Sequence, residues 1–437
     1  MQYSPSRRTA LVLCGTGAHG AYHAGVLRAF QEAGVRIDLV AGHGVGAAGA
    51  MLSAIDGSGR LWEPAGVWRS RESQAVYALA PAMRLALWAL LAVLVSLLVP
   101  TILIALTSST GASRVVAQVG IAIVVVATAG IAVAVGIARS PWQGRRRAVG
   151  PAWSAIVGAP FDATGAIAVF SQTIWQLIRG ASRDAQPPAD SGRRYADVLA
   201  DSLGQPGFRE LMIVATDLDA RGDVVAALLR EPYRRDFIAP RPGRERRAEA
   251  FDLAGAGREH ALDLMAAALT PPVVCEPRLV TFASDGFWRG ETHRLCDRPG
   301  AVMRLFDELA AAAVSQIIVV TAVPITFAPH RLRAPHLDLR SRLGEFVAAA
   351  EAAALHDAVE VARLRFDSCY VIRPAHNPVG PFDVSGAYDE ASDRRHSTAE
   401  LMERGYEDAY HQFIEPVVGA SGDQLARADS HEPSSLA

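Results

Sequence analysis

The stretch that decides the fold is Thr9–Ile55, which reads TALVLCGTGAHGAYHAGVLRAFQEAGVRIDLVAGHGVGAAGAMLSAI. Its apolar run Ala10–Cys14 ends in a glycine-rich turn, and the helical pattern Tyr22–Ala33 follows that turn. A second apolar run, Ile37–Ala41, enters the tight turn Gly42–Gly46, and an alanine-rich helical pattern leaves it. Two successive strand–turn–helix patterns predict an α/β fold with a mostly parallel sheet flanked by helices.

The two turns resemble those of the patatin-like phospholipase family, which has a G-G-G-x-R-G loop and, about 25 residues later, a G-x-S-x-G elbow. The first turn here is G-T-G-A-H-G and the second is G-H-G-V-G, so most of the glycines match. In the family, amides of the first loop form the oxyanion hole. The resemblance assigns that role to Gly15, Thr16, Gly17, Ala18 and Gly20, and it assigns the elbow glycines to Gly42 and Gly46.

The nucleophile position of the elbow is Gly44, where the family has serine. An acyl-transfer serine must carry a hydroxyl on the strained elbow, and glycine has no side chain. The resemblance places the dyad aspartate at Asp285, in the sequence Ser284-Asp285-Gly286. A serine introduced at position 44 is then predicted to restore part of the activity, with Asp285 as its base.

Other residues near these turns have both functional and structural interpretations. His43, or His19, could activate water together with Asp285, although histidines in turns commonly satisfy nearby carbonyls. The hydroxyl of Thr16 lies in the loop and not on the elbow, and Ser53 is expected to point away from it. The remaining carboxylates at a predicted strand end are expected to cap a turn or to line the same cleft; they are Asp217 and Asp219.

A dinucleotide site is the competing interpretation of the first turn, because G-T-G-A-H-G also fits G-x-G-x-x-G. That fingerprint requires an acidic residue at the end of the second strand, and His43 and Gly44 stand there instead. The sequence therefore favours the phospholipase-like interpretation.

Two uncharged runs, Leu85–Thr107 and Val115–Ala138, are each long enough to cross a bilayer, which takes about 20 apolar residues. Arginines flank the outer ends of the pair, and by the positive-inside rule both ends would face the cytoplasm. The sequence thus predicts an α/β fold interrupted by a transmembrane helical hairpin. The protein would be an integral membrane protein with two spans and a cytoplasmic folded domain.

The predicted organisation has six parts. Residues 151–200 combine an amphipathic segment with a polar linker, and Ile167–Ile178 within them is expected to lie at a membrane interface or to pack as an ordinary helix. The other parts are a first half of the core at 1–75, the hairpin at 76–150, a second half at 201–330, a C-terminal α/β extension at 331–420 and a disordered tail at 421–437.

The 437 residues carry a formal net charge of -2, which gives no reason to expect nucleic acid as a partner. The four cysteines are far apart and form no C-x-x-C or Cys/His pattern, so neither a metal site nor a cofactor is predicted. The resemblance implies a membrane lipid or an acyl ester as partner, and no oligomeric state is predicted.

Two functions stay open at this point. The chain is a lipid acyl hydrolase with an unconventional nucleophile or activated water, or it is a non-catalytic relative that binds lipid or scaffolds a partner. Family resemblance favours the first, and Gly44 favours the second.

Overall fold

The computed structural model of the protein describes residues 3–81, 158–239, 248–284, 288–324 and 338–419, together with parts of 83–98 and 115–130. Within these residues, the strands are β1 Thr9–Gly15, β2 Leu39–Gly44, β3 Ala78–Leu79, β4 Phe161–Asp162, β5 Glu210–Asp217, β6 Gly222–Leu228, β7 Ala248–Asp252, β8 Arg278–Thr281, β9 Thr292–Cys296, β10 Gln316–Thr321, β11 Ser368–Ile372, β12 Ala387–Asp389 and β13 Arg394–His396.

The helices with defined bounds are α1 Gly20–Glu32, α2 Val45–Ala54, α3 Gly59–Trp62, α4 Thr164–Ile178, α5 Ser191–Ser202, α6 Tyr233–Ile238, α7 Ala261–Ala268, α8 Val302–Ala311, α9 Leu339–Arg365 and α10 Thr398–Ala409. A π-helical segment, Tyr410–Gly419, follows α10.

The main sheet of the described residues has the strand order β11-β10-β1-β2-β5-β6-β7, with β9 paired to β5 and β8 paired to β9. The strands from β11 to β5 run parallel, whereas β6 and β9 run antiparallel to β5. The predicted α/β fold with a mostly parallel sheet is therefore confirmed. These parallel strands are buried along their length, as near-continuous apolar runs predict.

The register of the central strands brings the two glycine turns together. Gly15 pairs with Gly44, and Cys14 pairs with His43 on one side and with Thr321 on the other. The carboxyl ends of β1, β2 and β10 thus meet at one edge of the sheet, where open α/β sheets usually place their ligands.

Helices and loops of the C-terminal part of the chain contribute to the core. Apolar residues of α8 and α9 bury one face of the central strands, with Phe306 and Ala358 fully covered. On the other side, α1 packs against α10 at two glycines. A Cβ added to Gly25 would lie closer than 3.0 Å to the Met402 carbonyl, so the two helix backbones approach each other closely.

The predicted transmembrane hairpin is wrong. None of the described residues belongs to a helix that is long and apolar enough to span a bilayer. An uncharged run indicates only that the side chains suit lipid. A span also needs one unbroken apolar helix, because every backbone N–H and C=O group must find its hydrogen-bond partner within the helix. The localisation as an integral membrane protein with two spans is corrected on the same ground. The first run from 99 to 107 and the second run from 131 to 138 lie outside the described residues, as does the predicted disordered tail at 421–437.

The segment predicted to lie at a membrane interface or to pack as a helix is α4. It buries Ala166, Phe170, Ile174 and Trp175, and Trp175 is fully covered. These residues recur at helical spacing on one face, so α4 has the pattern of a packed helix.

The chain divides into two compact units. One comprises Met1–Tyr77, Ala163–Pro272 and Pro277–Ala437, and the other comprises Ala78–Asp162 with Val273–Glu276. Both glycine turns belong to the first unit. The finer division into six parts stays a prediction.

Candidate functional site

The elbow is a direct passage from strand to helix. Strand β2 ends at Gly44 and helix α2 begins at Val45, with no intervening loop. Gly44 has φ 61° and ψ -134°, a backbone conformation that residues with a Cβ rarely adopt. The chain therefore retains a strained elbow of the kind that presents a nucleophile, but no side chain stands on it.

The carbonyl oxygen of Gly15 occupies the space above this elbow. A Cβ built on Gly44 would lie closer than 3.0 Å to that oxygen, and real Cβ atoms essentially never approach so closely. A serine at this position would require the backbone at Gly15 to move. The expectation that serine at position 44 restores activity therefore finds no support in this geometry.

The loop amides predicted for the oxyanion hole are partly engaged by the chain itself. The Ala18 N–H donates a 2.6 Å hydrogen bond to the carbonyl oxygen of Pro381. Gly17 has φ 59°, and a Cβ there would also collide with the Pro381 carbonyl. A backbone carbonyl from the C-terminal part thus already accepts the hydrogen bond that a substrate oxyanion would need.

The carboxylate at the elbow is Asp297, which follows strand β9. Its Oδ2 lies 3.2 Å from the position of a Cβ on Gly44. The predicted dyad residue, Asp285, lies outside the described residues, so its role stays a prediction. Sequence reasoning missed Asp297 because it searched for aspartate followed directly by glycine, and this aspartate is followed by Arg298 and Pro299. Its signal was an acidic residue directly after the apolar end of a strand.

His43 forms a buried ion pair with Asp297. Its Nε2 lies 3.0 Å from Asp297 Oδ1 and 2.8 Å from the carbonyl oxygen of Arg298. Burial opposes the charged imidazolium, but the Asp297 carboxylate outweighs burial and raises the pKa of His43 to about 9. The raised pKa favours the imidazolium form at neutral pH, which opposes a role for His43 as a general base.

A second carboxylate, Glu351 of α9, reaches the same place. The Thr16 hydroxyl donates to Glu351 Oε1 and lies 3.4 Å from Asp297 Oδ2. His19 Nδ1 lies 3.5 Å from the other oxygen of Glu351, and both of these atoms lack a hydrogen-bond partner among the described residues. Two buried carboxylates thus flank Thr16. They place carboxyl oxygens where an oxyanion hole would present hydrogen-bond donors.

Comparison with known proteins identifies the domain to which the two turns belong. The patatin family model, described as patatin-like phospholipase, matches residues 11–112, which include both turns. This part of the chain is similar to a patatin-like phospholipase domain. The predicted resemblance is therefore confirmed.

The comparisons beyond the family model add little. The crystal structure of VipD from Legionella pneumophila is 11% identical, and the similarity covers 95% of this chain and 69% of that chain. Its TM-score of 0.31 is too low to support an argument. No curated protein matches the sequence significantly.

The space left at the patatin-like elbow is very small. The cavity there has a volume of about 10 Å³ and is lined by residues that include Cys14, His43, Thr321 and Glu351. That volume holds at most a single water molecule. A larger cavity of about 460 Å³ begins beside His19, and its described lining contains several carboxylates but no arginine.

The remaining predicted site residues have structural roles in the patatin-like core. Gly42 and Gly46 sit where a Cβ would strike neighbouring backbone, and Gly20 lies against the Trp68 ring. Ser53 donates to the Gly49 carbonyl within α2, so its hydroxyl is not available at the elbow.

The two aspartates at the end of β5 also serve structure. Asp217 accepts the N–H groups of Asp219 and Ala220 and contacts the ring of His293. Asp219 pairs with Arg294. Both carboxylates therefore hold the β5–β6 turn and strand β9 in place, in agreement with the capping role that the sequence suggested. In the described part of the chain, no group of three or more histidine, cysteine or acidic side chains is arranged to hold a metal ion.

Proposed function

We propose that this chain is a non-catalytic member of the patatin-like phospholipase family. The observation that carries the proposal is the position of the Gly15 carbonyl oxygen, which stands where the Cβ of a nucleophilic residue at position 44 would have to lie. The missing hydroxyl is therefore accompanied by a backbone that no longer leaves room for one.

Three further features of the same site support the proposal. The Ala18 amide is engaged by the Pro381 carbonyl, so the loop offers one amide fewer to an oxyanion. Asp297 and Glu351 place two carboxylates around Thr16. The residual cavity of about 10 Å³ admits no acyl ester. The former catalytic centre then acts as a buried structural centre, and the protein works by binding.

The ligand class follows from the family and from nothing more specific. Patatin-like proteins suggest lipids or acyl esters, and we extend this to the present chain as a ligand that is bound and released unchanged. Binding of this kind requires the fold to offer a surface away from the closed elbow.

The test measures ester hydrolysis and labelling of the active site. Purified wild-type protein and the variant Gly44→Ser would be treated with a fluorophosphonate probe and assayed with p-nitrophenyl butyrate. We expect neither protein to be labelled or to hydrolyse the ester above background. Hydrolysis by the wild type that disappears in Asp297→Asn, with the circular dichroism spectrum unchanged, would contradict the proposal.

One other arrangement favours a second candidate function, that of a serine hydrolase with a different centre. Ser392 Oγ lies 2.8 Å from His396 Nε2, and His396 Nδ1 lies 3.2 Å from Glu400 Oε2. This order of hydroxyl, imidazole and carboxylate is that of a catalytic triad. Glu400 also accepts the Ser397 N–H in a capping box at the start of α10, so the same contacts serve the helix.

The labelling experiment separates the two candidates. Labelling of the wild type that is lost in Ser392→Ala would assign a hydrolase to the Ser392 centre. The matched control is Ser385→Ala, whose hydroxyl accepts a hydrogen bond from Arg395 on the same hairpin. We expect no labelling in any of these proteins.

A further inference from the structure

A groove of about 350 Å³ runs along helix α9, outside the closed elbow. Its volume lies within the range of small-molecule sites. One wall is a single face of α9, because its lining residues from Ala352 to Arg363 recur three or four positions apart. The opposite wall is formed at the carboxyl ends of two parallel strands. Val323 and Pro324 follow β10, Val371 lies in the last part of β11, and Arg373 follows it.

Apart from His356 on α9, the groove is apolar along most of its length. Its apolar lining comprises Val323, Pro324, Ala352, Ala353, Leu355, Val359 and Val371. The helix rises 1.5 Å per residue, so the distance along α9 from Ala352 to Arg363 is about 16 Å. This length suits an extended hydrocarbon chain better than a compact polar ligand.

The charged side chains of the groove gather at one end. Arg363 and Glu360 come late in α9, and they form a half-exposed ion pair at 2.6 Å. Arg373 lies just past the end of β11 and is half-buried. Among the residues that the structure describes, no carboxylate pairs with the Arg373 guanidinium. Burial and the neighbouring Arg363 both lower the pKa of Arg373, which is the effect of a cation held near a like charge.

A cation of this kind at the end of an apolar groove is complementary to an amphipathic anion. The planar guanidinium binds carboxylates and phosphates in a bidentate manner, and it is weakly hydrated compared with an ammonium group. The apolar walls would meanwhile remove a hydrocarbon chain from water. An uncharged lipid would leave Arg373 without a partner, and a small hydrophilic anion would leave the apolar walls unused.

We propose that the α9 groove binds a single-chain amphiphile, with its anionic head on Arg373 and Arg363 and its acyl chain along Leu355 and Val359. The proposal rests on the proposed function and deepens it, because it names a binding surface away from the elbow and the class of lipid that it takes. Hydrolysis and binding are measured separately, so either proposal can fail without the other.

The test is isothermal titration calorimetry on the full chain, with four probes below their micellar concentrations. Sodium laurate and dodecyl phosphate carry the anionic head and the chain, dodecyl maltoside carries the chain without charge, and butyrate carries the head without a long chain. We expect binding of laurate, dodecyl phosphate or both, and no measurable binding of the other two. The stronger of the first two identifies the head group as carboxylate or phosphate.

Three variants test the placement. Arg373→Gln should weaken laurate binding about 10-fold or more, because a charge-assisted hydrogen bond is lost. Ala353→Phe should weaken it by filling the groove, and position 353 is exposed, so the fold should tolerate the larger side chain. The control Arg365→Gln removes an equal charge at the end of α9, outside the groove lining, and it should leave laurate affinity within about 2-fold.

Several results would overturn the proposal. They are the absence of binding by both anionic amphiphiles, equal affinity of dodecyl maltoside and laurate, and equal laurate affinity in Arg373→Gln and wild type. Circular dichroism of each variant checks that a loss of binding is not a loss of fold.

Discussion

The clearest consequence of the closed elbow is a predicted cost of adding a single methyl group. In Gly44→Ala, a residue with a Cβ must adopt φ 61°, and that Cβ must also lie closer than 3.0 Å to the Gly15 carbonyl oxygen. The backbone conformation at φ 61° and ψ -134° is strained for a residue with a Cβ and costs about 1–3 kcal/mol. Overpacking against a backbone atom that has to move costs about 1–3 kcal/mol more. The expected total is about 2–6 kcal/mol of unfolding free energy.

A second glycine of the same chain provides the matched control. Gly34 has φ 64°, and a Cβ there meets nothing within 4 Å. Gly34→Ala should therefore cost only the backbone term, about 1–2 kcal/mol. The difference between the two variants contains the collision with Gly15 and should be at least about 1–3 kcal/mol.

The assay is urea unfolding of wild type, Gly34→Ala and Gly44→Ala, followed by circular dichroism and by tryptophan fluorescence. Two probes are needed because a chain with two compact units can unfold in more than one transition. If Gly44→Ala loses no more stability than Gly34→Ala, the Gly15 carbonyl moves aside at little cost. The elbow could then accept a nucleophile, and the argument for a closed centre would be refuted.

Two further predictions concern the buried ion pair and the packing of α1. The pKa of His43 is raised to about 9 in the folded protein, from about 6.5 in the unfolded chain. The protonated His43 therefore contributes its full share of the folding stability below pH 6.5, and this share is lost as the pH rises through 9. Over this pH interval, the free energy of unfolding of the wild type should fall by on the order of 3 kcal/mol more than that of His43→Gln. If the free energies of the two proteins change in parallel with pH, the ion pair with Asp297 is contradicted. Gly25→Ala should destabilise the fold by about 1–3 kcal/mol by pushing α1 from the Met402 carbonyl. Thermal-shift measurements would compare this variant with the control Gly120→Ala, in a helix with open space around it. Gly120→Ala should be neutral or stabilising by up to about 1 kcal/mol.

The sequence alone was sufficient for the parts of the fold that local patterns specify. The glycine turns, the strands that precede them and the helices that follow could be predicted, because apolar periodicity and turn glycines act over a few residues. Strands β5 and β10 are formed by apolar runs of the same kind. The family was identified for the same reason, since both of its diagnostic turns fall within Thr9–Ile55.

Hydropathy led to the wrong conclusion where it was used as a substitute for structure. Two uncharged runs predicted a transmembrane hairpin, and the described residues contain no helix suited to cross a membrane. Composition reports which surroundings the side chains prefer, but it does not report how far a helix continues without a break. Helix continuity depends on backbone hydrogen bonds and on neighbouring elements.

The state of the site was decided by tertiary structure. The sequence by itself shows that position 44 has no hydroxyl, but the groups that surround this glycine come from distant parts of the chain. The pairing of β9 with β5 places Asp297 beside this glycine, and the packing of α9 places Glu351 there. The loop that follows β11 places the Pro381 carbonyl there. None of the three lies in a motif that identifies it. Their positions result from long-range pairing and core packing, which depend on the whole sequence at once.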